Sequence, residues 1–293
     1  MEKMPDEFLL GSVSFNLESK PFATVIDGQS IDRVELFGLE LSLEFDMSAK
    51  YCTGWHDLVN RQSFVCPDSA LVDDKYEQCL KCRQKTGFNP AFYHADTVSE
   101  AQQAINAREH FVYLAYFAPG VVKVGISQEA RGLGRILEQG ARYALKLETF
   151  SSALVARQYE EKLSNLDGII EHLPNRKKMQ LLKMPFDESA AKQELDNSLE
   201  KIKSELNLTF DSAQAIQTAK YFHTTDLDVS QAIDMSDQDK LVGEVVAMVG
   251  STCLTRYEDN LLTYNLKRFV GRKAQRLKGE IDIDLPSEQL TLI

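Results

Sequence analysis

No stretch of this sequence approaches the ~20 consecutive apolar residues of a membrane-spanning helix, which excludes an α-helical membrane protein. Its opening, MEKMPDEFLL, puts acidic side chains where a secretory signal carries basic ones, so a cytoplasmic location is expected. Glycine and proline are few, 15 and 8 in 293 residues, which excludes collagen-like and low-complexity chains. Basic charge is also short: 33 Lys and Arg stand against 44 Asp and Glu, a net −11 that argues against an indiscriminate nucleic-acid coat. What remains is ordinary globular composition, 43% hydrophobic and 26% charged, which also sets aside a long coiled coil. The length suits about two folding units at ~150 residues each, enough to bury a real core.

The charge is unevenly spread. Residues 1–104 carry a net −8, 105–185 a net +4, 186–240 a net −7, 241–280 a net +3 and the last thirteen −3. A phosphate ligand is drawn to the middle block, while the acidic remainder discourages non-specific association.

The pattern implies an α+β fold in five segments. Residues 1–45 alternate β-branched and aromatic residues with polar ones, with a turn signal at Asp27-Gly28, and form an N-terminal β-rich segment. Periodicity disappears over 46–95, where the cysteines gather. Residues 96–186 begin with a short helix, EAQQAINARE, preceded by Thr97 and Ser99 as capping residues. They continue as strand HFVYLAYF, a turn at Ala118-Pro119-Gly120, strand VVKVGIS, helix RGLGRILEQG, strand RYALKLETF and helix SSALVARQYEEKL, a β-β-α-β-α order. Residues 187–240 read as an acidic segment, a charged surface helix over 187–205 and then a polar irregular stretch. Residues 241–293 close the chain with a small β-rich segment.

Four of five cysteines fall within 31 residues: Cys52, Cys66, Cys79 and Cys82, the last two as CLKC. Two thiolates separated by two residues chelate one tetrahedral ion from a tight turn and leave two positions for a distant pair. The intervening sequence is poor in apolar residues, so a structural zinc compensates for the small core. His56 lies close enough in sequence to replace one ligand. Four thiolates close the coordination sphere and leave no catalytic water. Trp55 either covers this knuckle or stacks on a base, and the isolated Cys253 reads as a buried small hydrophobe.

Within the β-β-α-β-α block, Tyr113 lies on the first strand, Lys123 and Gly125 on the second, Arg131 and Arg135 at the start of the next helix, and Glu160 and Glu161 in the second helix. Strict alternation places Phe111, Tyr113 and Ala115 on one face of the first strand and Tyr116 on the other. Arg131 and Arg135, four apart, share a helix face. A phenol, a lysine, paired guanidinium groups and a carboxylate suit phosphodiester cleavage: the carboxylate holds a divalent cation, arginine forks onto phosphate, and the phenol positions or deprotonates water.

At these residues the sequence resembles the GIY-YIG nuclease superfamily over roughly 105–170, through VYLAY, KVGIS, the arginine helix, the third strand and the glutamate helix. The resemblance implies Tyr113 as the first-motif tyrosine, Gly125 as the second-motif glycine, Arg135 (or Arg131) as the helix arginine, and Glu160 (or Glu161) as the ligand of Mg2+ or Mn2+. The first motif reads FVY without its glycine, Lys123 stands where the name-giving tyrosine belongs, and Ile126 replaces a lysine. The whole chain resembles a bacterial family that joins a four-cysteine knuckle to this core, through CTGWHDL, CLKC, HFVYLAYF, VKVGIS and RILEQGA; that likeness implies fold and zinc but no reaction.

The leading expectation is a metal-dependent endonuclease acting on DNA or RNA, with zinc for architecture and Tyr113, Lys123, Arg131 or Arg135, and Glu160 for chemistry. Against it stand a nucleic-acid-binding module in which catalysis has lapsed, with the knuckle and the basic 241–280 segment recognising the ligand, and a zinc-stabilised protein-interaction adaptor.

Overall fold

The computed structural model describes residues 4–92, 95, 97–279, 281 and 283–285; the outermost positions of the two terminal segments and the join at 93–96 thus lie largely outside the described residues. The N-terminal segment forms β1 (Glu7–Phe15), β2 (Pro21–Asp27), β3 (Ser30–Glu35) and β4 (Glu40–Phe45). The cysteine region forms a hairpin, β5 (Trp55–Asp57) and β6 (Gln62–Phe64), and a short helix, α1 (Leu80–Thr86). After α2 (Glu100–Asn106) come β7 (His110–Ala118), β8 (Val121–Gln128), α3 (Gly134–Gln139), β9 (Tyr143–Phe150) and α4 (Ala153–Ser164). Then follow β10 (Ile169–Ile170), α5 (Asn175–Leu182), α6 (Glu188–Leu206), β11 (Gln214–Ile216) and β12 (Ile233–Asp234). The chain closes with β13 (Lys240–Val249), β14 (Thr252–Tyr257), β15 (Asn260–Asn265) and β16 (Lys273–Arg276). The α+β class and the β-β-α-β-α order match the reading of the sequence.

The two ends of the chain make one sheet. Its nine strands run β12-β15-β14-β13-β4-β16-β1-β2-β3, so β16 inserts between β1 and β4, and β4 pairs only with strands from the other end. The N- and C-terminal β-rich segments therefore share one hydrophobic core, in which Val25, Leu43, Val242, Leu254, Tyr264 and Phe269 are buried. Pairing between segments two hundred residues apart leaves no local signal, because strand periodicity reports which face is buried and not which strand lies alongside.

The middle of the chain builds a second sheet, β10-β8-β7-β9-β11, antiparallel except where β10 joins β8. Alternation along β7 sends Val112, Leu114 and Tyr116 into the core covered by α4 and α6, and Phe111, Tyr113, Ala115 and Phe117 into the core covered by α3 and α5. Helix α6 is charged outside but buries Ala191, Leu195 and Ile202 as a stripe, and its N-cap Asp187 accepts a hydrogen bond from the Ala190 amide at 2.7 Å. Burying side chains such as Leu195 and Ile202 contributes about 1.5–3 kcal/mol each. Helix α3 joins the two sheets: Ile136 faces the Tyr113 core and Leu137 the core of the large sheet. Among the described residues no helix is long and apolar enough to cross a membrane.

Candidate functional site

The four clustered cysteines converge. Their sulfur atoms all lie within 4.8 Å of one another, and Cys66 Sγ is 4.0 Å from Cys79 Sγ. Four thiolates at ~2.3 Å from one tetrahedral zinc stand about 3.8 Å apart, so the donor set and its spacing fit a metal ion such as zinc. Burial raises the Cys52 thiol above its usual range, against two amides that donate to its Sγ, Cys79 at 3.1 Å and Gly54 at 3.4 Å. Gly54 is required by the fold of the knuckle: its φ is +91°, and a Cβ there would lie 1.9 Å from the Phe64 carbonyl oxygen. All five cysteines are free thiols, and Cys253 is fully buried in the main core, away from the four. His56 stands outside the sulfur cluster; its Nδ1 lies 3.2 Å from Ser63 Oγ, and burial holds its imidazole below the usual range. Trp55 packs against the knuckle, stacked on Phe64 at 4.2 Å with Lys85 over its ring, so it covers the cysteines.

The second centre lies at the β7–β8 hairpin. Tyr113 and Gly125 are register partners, and the phenol lies over the glycine so closely that an added Cβ would come within 2.5 Å of Tyr113 Oη. Tyr113 is 1% exposed, walled by Ile136 from α3 and by Leu173 and Leu181 from α5 and the segment before it. The charges of Arg135, Glu160, Arg131 and Glu138 all act on its hydroxyl, which burial pushes up to about 12; it is protonated at neutral pH. Lys123, two residues before Gly125, donates to the Glu171 carbonyl at 2.6 Å and the Val124 carbonyl at 3.0 Å. Burial lowers its pKa, against the pull of Glu160.

Glu160 is buried and Glu161 is exposed, a separation that follows from the ~100° between adjacent helix positions. Arg157, one turn earlier on α4, donates from Nη1 to Glu160 Oε2 at 2.7 Å and pairs with Glu171 Oε1 at 2.7 Å. Burial still outweighs Arg157 and Lys123 and holds the Glu160 carboxyl above the usual range. The expected shared helix face of Arg131 and Arg135 is not formed. Arg131 lies in a 3-10 turn, Glu129–Arg131, before α3 starts at Gly134, because Gly132 interrupts the helix with φ +52°. Both arginines nevertheless meet Glu138, Arg131 at 2.7 Å and Arg135 at 3.7 Å.

Tyr113, Lys123, Arg135 and Glu160 thus share one electrostatic neighbourhood, with Arg131 at its rim. Three participants escaped the sequence reading. Arg157 carries an (i, i+3) signal with Glu160, but Glu171 follows a two-residue strand too short to show periodicity, and Lys178 sits in a basic run, Arg176-Lys177-Lys178, that carries no sign of burial. Lys178, on α5, donates to Gln139 Oε1 at 3.1 Å; burial, with the nearby charges of Lys123, Arg135 and Lys267, pushes its pKa down to about 8. The expected Mg2+ or Mn2+ finds a poor donor set. Glu160 is already paired with Arg157, and among the described residues the cysteine cluster is the one group of three or more candidate ligands.

The family described as "Protein of unknown function (DUF2797)" matches residues 43–273, most of the chain, and the protein belongs to that family. No curated protein and no solved structure matches it.

Proposed function

We propose that this member of the DUF2797 family acts on nucleic acid, cutting a phosphodiester bond at a GIY-YIG-like centre, and that zinc held by Cys52, Cys66, Cys79 and Cys82 is structural. The observation that supports this reading is the meeting of Tyr113, seated on Gly125, with Lys123, Arg135 and Glu160. Arg135, held only loosely by Glu138, forks onto the phosphate oxygens and stabilises the charge that develops on them. The Tyr113 phenol, protonated at neutral pH, donates a hydrogen bond that orients the attacking water or a phosphate oxygen and does not itself remove a proton. Glu160, its carboxyl raised by burial, accepts the proton of that water, and Lys123, lowered by burial, returns one to the leaving oxygen. Because Glu160 is paired with Arg157, no step depends on a divalent ion. Tyr113 is buried, so substrate reaches its hydroxyl only when apolar side chains packed over it move.

The burial of Tyr113 and the Arg157–Glu160 pair favour one second reading, a module that binds nucleic acid without cutting it. Cleavage of labelled single- and double-stranded DNA and RNA, with EDTA, Mg2+ or Mn2+, separates the two. Glu160→Ala is expected to lower cleavage by ~10³-fold, the scale of other single catalytic groups, while Glu161→Ala is expected to cut normally. Equal cutting by Glu160→Ala refutes the catalytic assignment. Salt-sensitive binding with no cutting by the wild type selects the second reading.

A further inference from the structure

Arg61 stands at the tip of the β5–β6 hairpin with φ +57°, a left-handed conformation that residues with a Cβ avoid. What it supplies there is reach. Its Nη1 donates to the Ala130 carbonyl at 3.1 Å and its Nη2 to Gln128 Oε1 at 3.0 Å, tying the knuckle to the segment that leads into Arg131. Arg131 and Arg135 share Glu138, and the next residue, Gln139, accepts from Lys178. Arg61, Arg131, Arg135 and Lys178, from three separate segments, therefore lie in order along α3 and its lead-in.

Two more cations lie within electrostatic reach of this line. Arg33 on β3 acts on the His56 ring together with Arg131 and Arg61, and Lys267 acts on Lys178 together with Lys123 and Arg135. Arg33, Arg61, Arg131 and Lys267 are exposed. The carboxylates along the way are held: Glu138 is shared by two arginines, Glu129 is bound by Lys146 and Thr149, Asp57 by Asn60 and the Val59 amide, and Asp32 lies beside Arg33. In a chain of net charge −11 this is a concentrated line of the opposite sign.

We propose that this line of cations is a phosphate-backbone track, carrying a nucleic-acid strand from the Tyr113 centre along α3 to the zinc knuckle, where Arg61 and Arg33 hold flanking phosphates and not the scissile one. The proposal rests on the reading of that centre as a nucleic-acid site. Guanidinium groups spaced along a helix and a hairpin match a repeating anion, and each phosphate neutralised releases counterions.

The test is binding of labelled single- and double-stranded DNA and RNA by fluorescence anisotropy across a salt series, with cleavage measured in parallel. The proteins are the wild type, Arg33→Gln/Arg61→Gly, Arg33→Lys/Arg61→Lys and Arg135→Ala, each first checked for zinc content and melting temperature. Glycine suits the backbone of position 61, so the hairpin persists without its guanidinium. The Gln/Gly variant is expected to bind ~10-fold or more weakly at low salt, to lose about 1.4–1.8 from the slope of log K against log salt, and to raise KM with kcat unchanged. The Lys/Lys variant is expected to recover the slope. Wild-type affinity and slope in the Gln/Gly variant overturn the track while leaving the centre intact if Arg135→Ala is defective. A weakened slope with no cleavage by any protein supports the track and removes the cleavage reading. Absence of wild-type binding to every oligonucleotide overturns both.

Discussion

Replacing Gly125 by alanine tests the contact on which the Tyr113 centre is built. The new Cβ would stand 2.5 Å from Tyr113 Oη, 2.6 Å from Cζ and 3.1 Å from Cε1, so the ring must retreat by roughly 1 Å to reach ordinary contact. It has little room, being 1% exposed and packed among Phe111, Ala115, Phe117 and Ile136. Overpacking of this kind costs about 1–3 kcal/mol, and the lower conformational entropy of unfolded alanine returns about 0.5–1 kcal/mol. The net destabilisation is about 0–2.5 kcal/mol, which for a chain of this size lowers the melting temperature by up to roughly 5–8 °C. Thermal and urea denaturation of Gly125→Ala, Tyr113→Leu and the double variant form a cycle. The double variant should be more stable than the sum of the single losses by about 0.5–2 kcal/mol, because a shorter side chain at 113 accepts the methyl group. Strict additivity in the cycle would refute the contact. Cleavage should fall together with stability in Gly125→Ala, since the phenol has been moved.

Purified protein should carry one zinc per chain; Cys82→Ser should lose it and Cys253→Ser, buried elsewhere, should keep it, as measured by metal analysis. Removing the metal with a chelator should lower the melting temperature and open the knuckle to proteolysis, because its fold has little apolar core beyond the cysteines. Arg157→Met leaves the Glu160 carboxylate buried without its partner, the pair having side chains only 11% and 9% exposed, and should cost about 3–5 kcal/mol in urea denaturation. A loss below ~1 kcal/mol would mark the pair as solvent-screened. Lys178, at about 8 when folded against ~10.4 unfolded, binds its proton more tightly in the unfolded chain, so its contribution to stability rises with pH between these values. Lys178→Met should abolish that rise in denaturation curves at pH 8 and pH 10. Nucleic-acid affinity should fall over the same interval and stay level in Lys178→Arg.

The order β-β-α-β-α and the facing of Tyr113 were legible because a strand with period two and helices with clear caps report on themselves. CLKC with two upstream cysteines was legible for the same reason: chelation geometry is local for one pair, and the other pair has few alternatives. What the sequence hid was long-range or brief. The pairing of β4 with β13 and β16 joins segments with no shared pattern, and β10 is two residues long, so Glu171 had no element to be placed on. The break before α3 was misjudged because the apolar spacing around Ile136 and Leu137 continues through Gly132, whose positive φ ends the regular backbone. The basic run Arg176-Lys177-Lys178 carries no sign of which lysine turns inward, and the partner of Lys178, Gln139, lies on an element far along the chain.

The insertion of β16 between β1 and β4 makes the large sheet a late event in synthesis. Both hydrogen-bonding edges of β4 wait for strands that begin at Lys240 and Lys273. At ~5–20 residues per second the ribosome needs roughly 10–40 s to reach the first of them. During that interval the β1–β2–β3 meander and the solitary β4 present unpaired backbone and the apolar side chains of Leu41, Leu43 and Phe45. The knuckle and the β7–β9 sheet, whose partners are closer in sequence, can assemble first. Nascent chains stalled before residue 240 should therefore recruit chaperones through their N-terminal strands, and lose that dependence only once β16 has emerged.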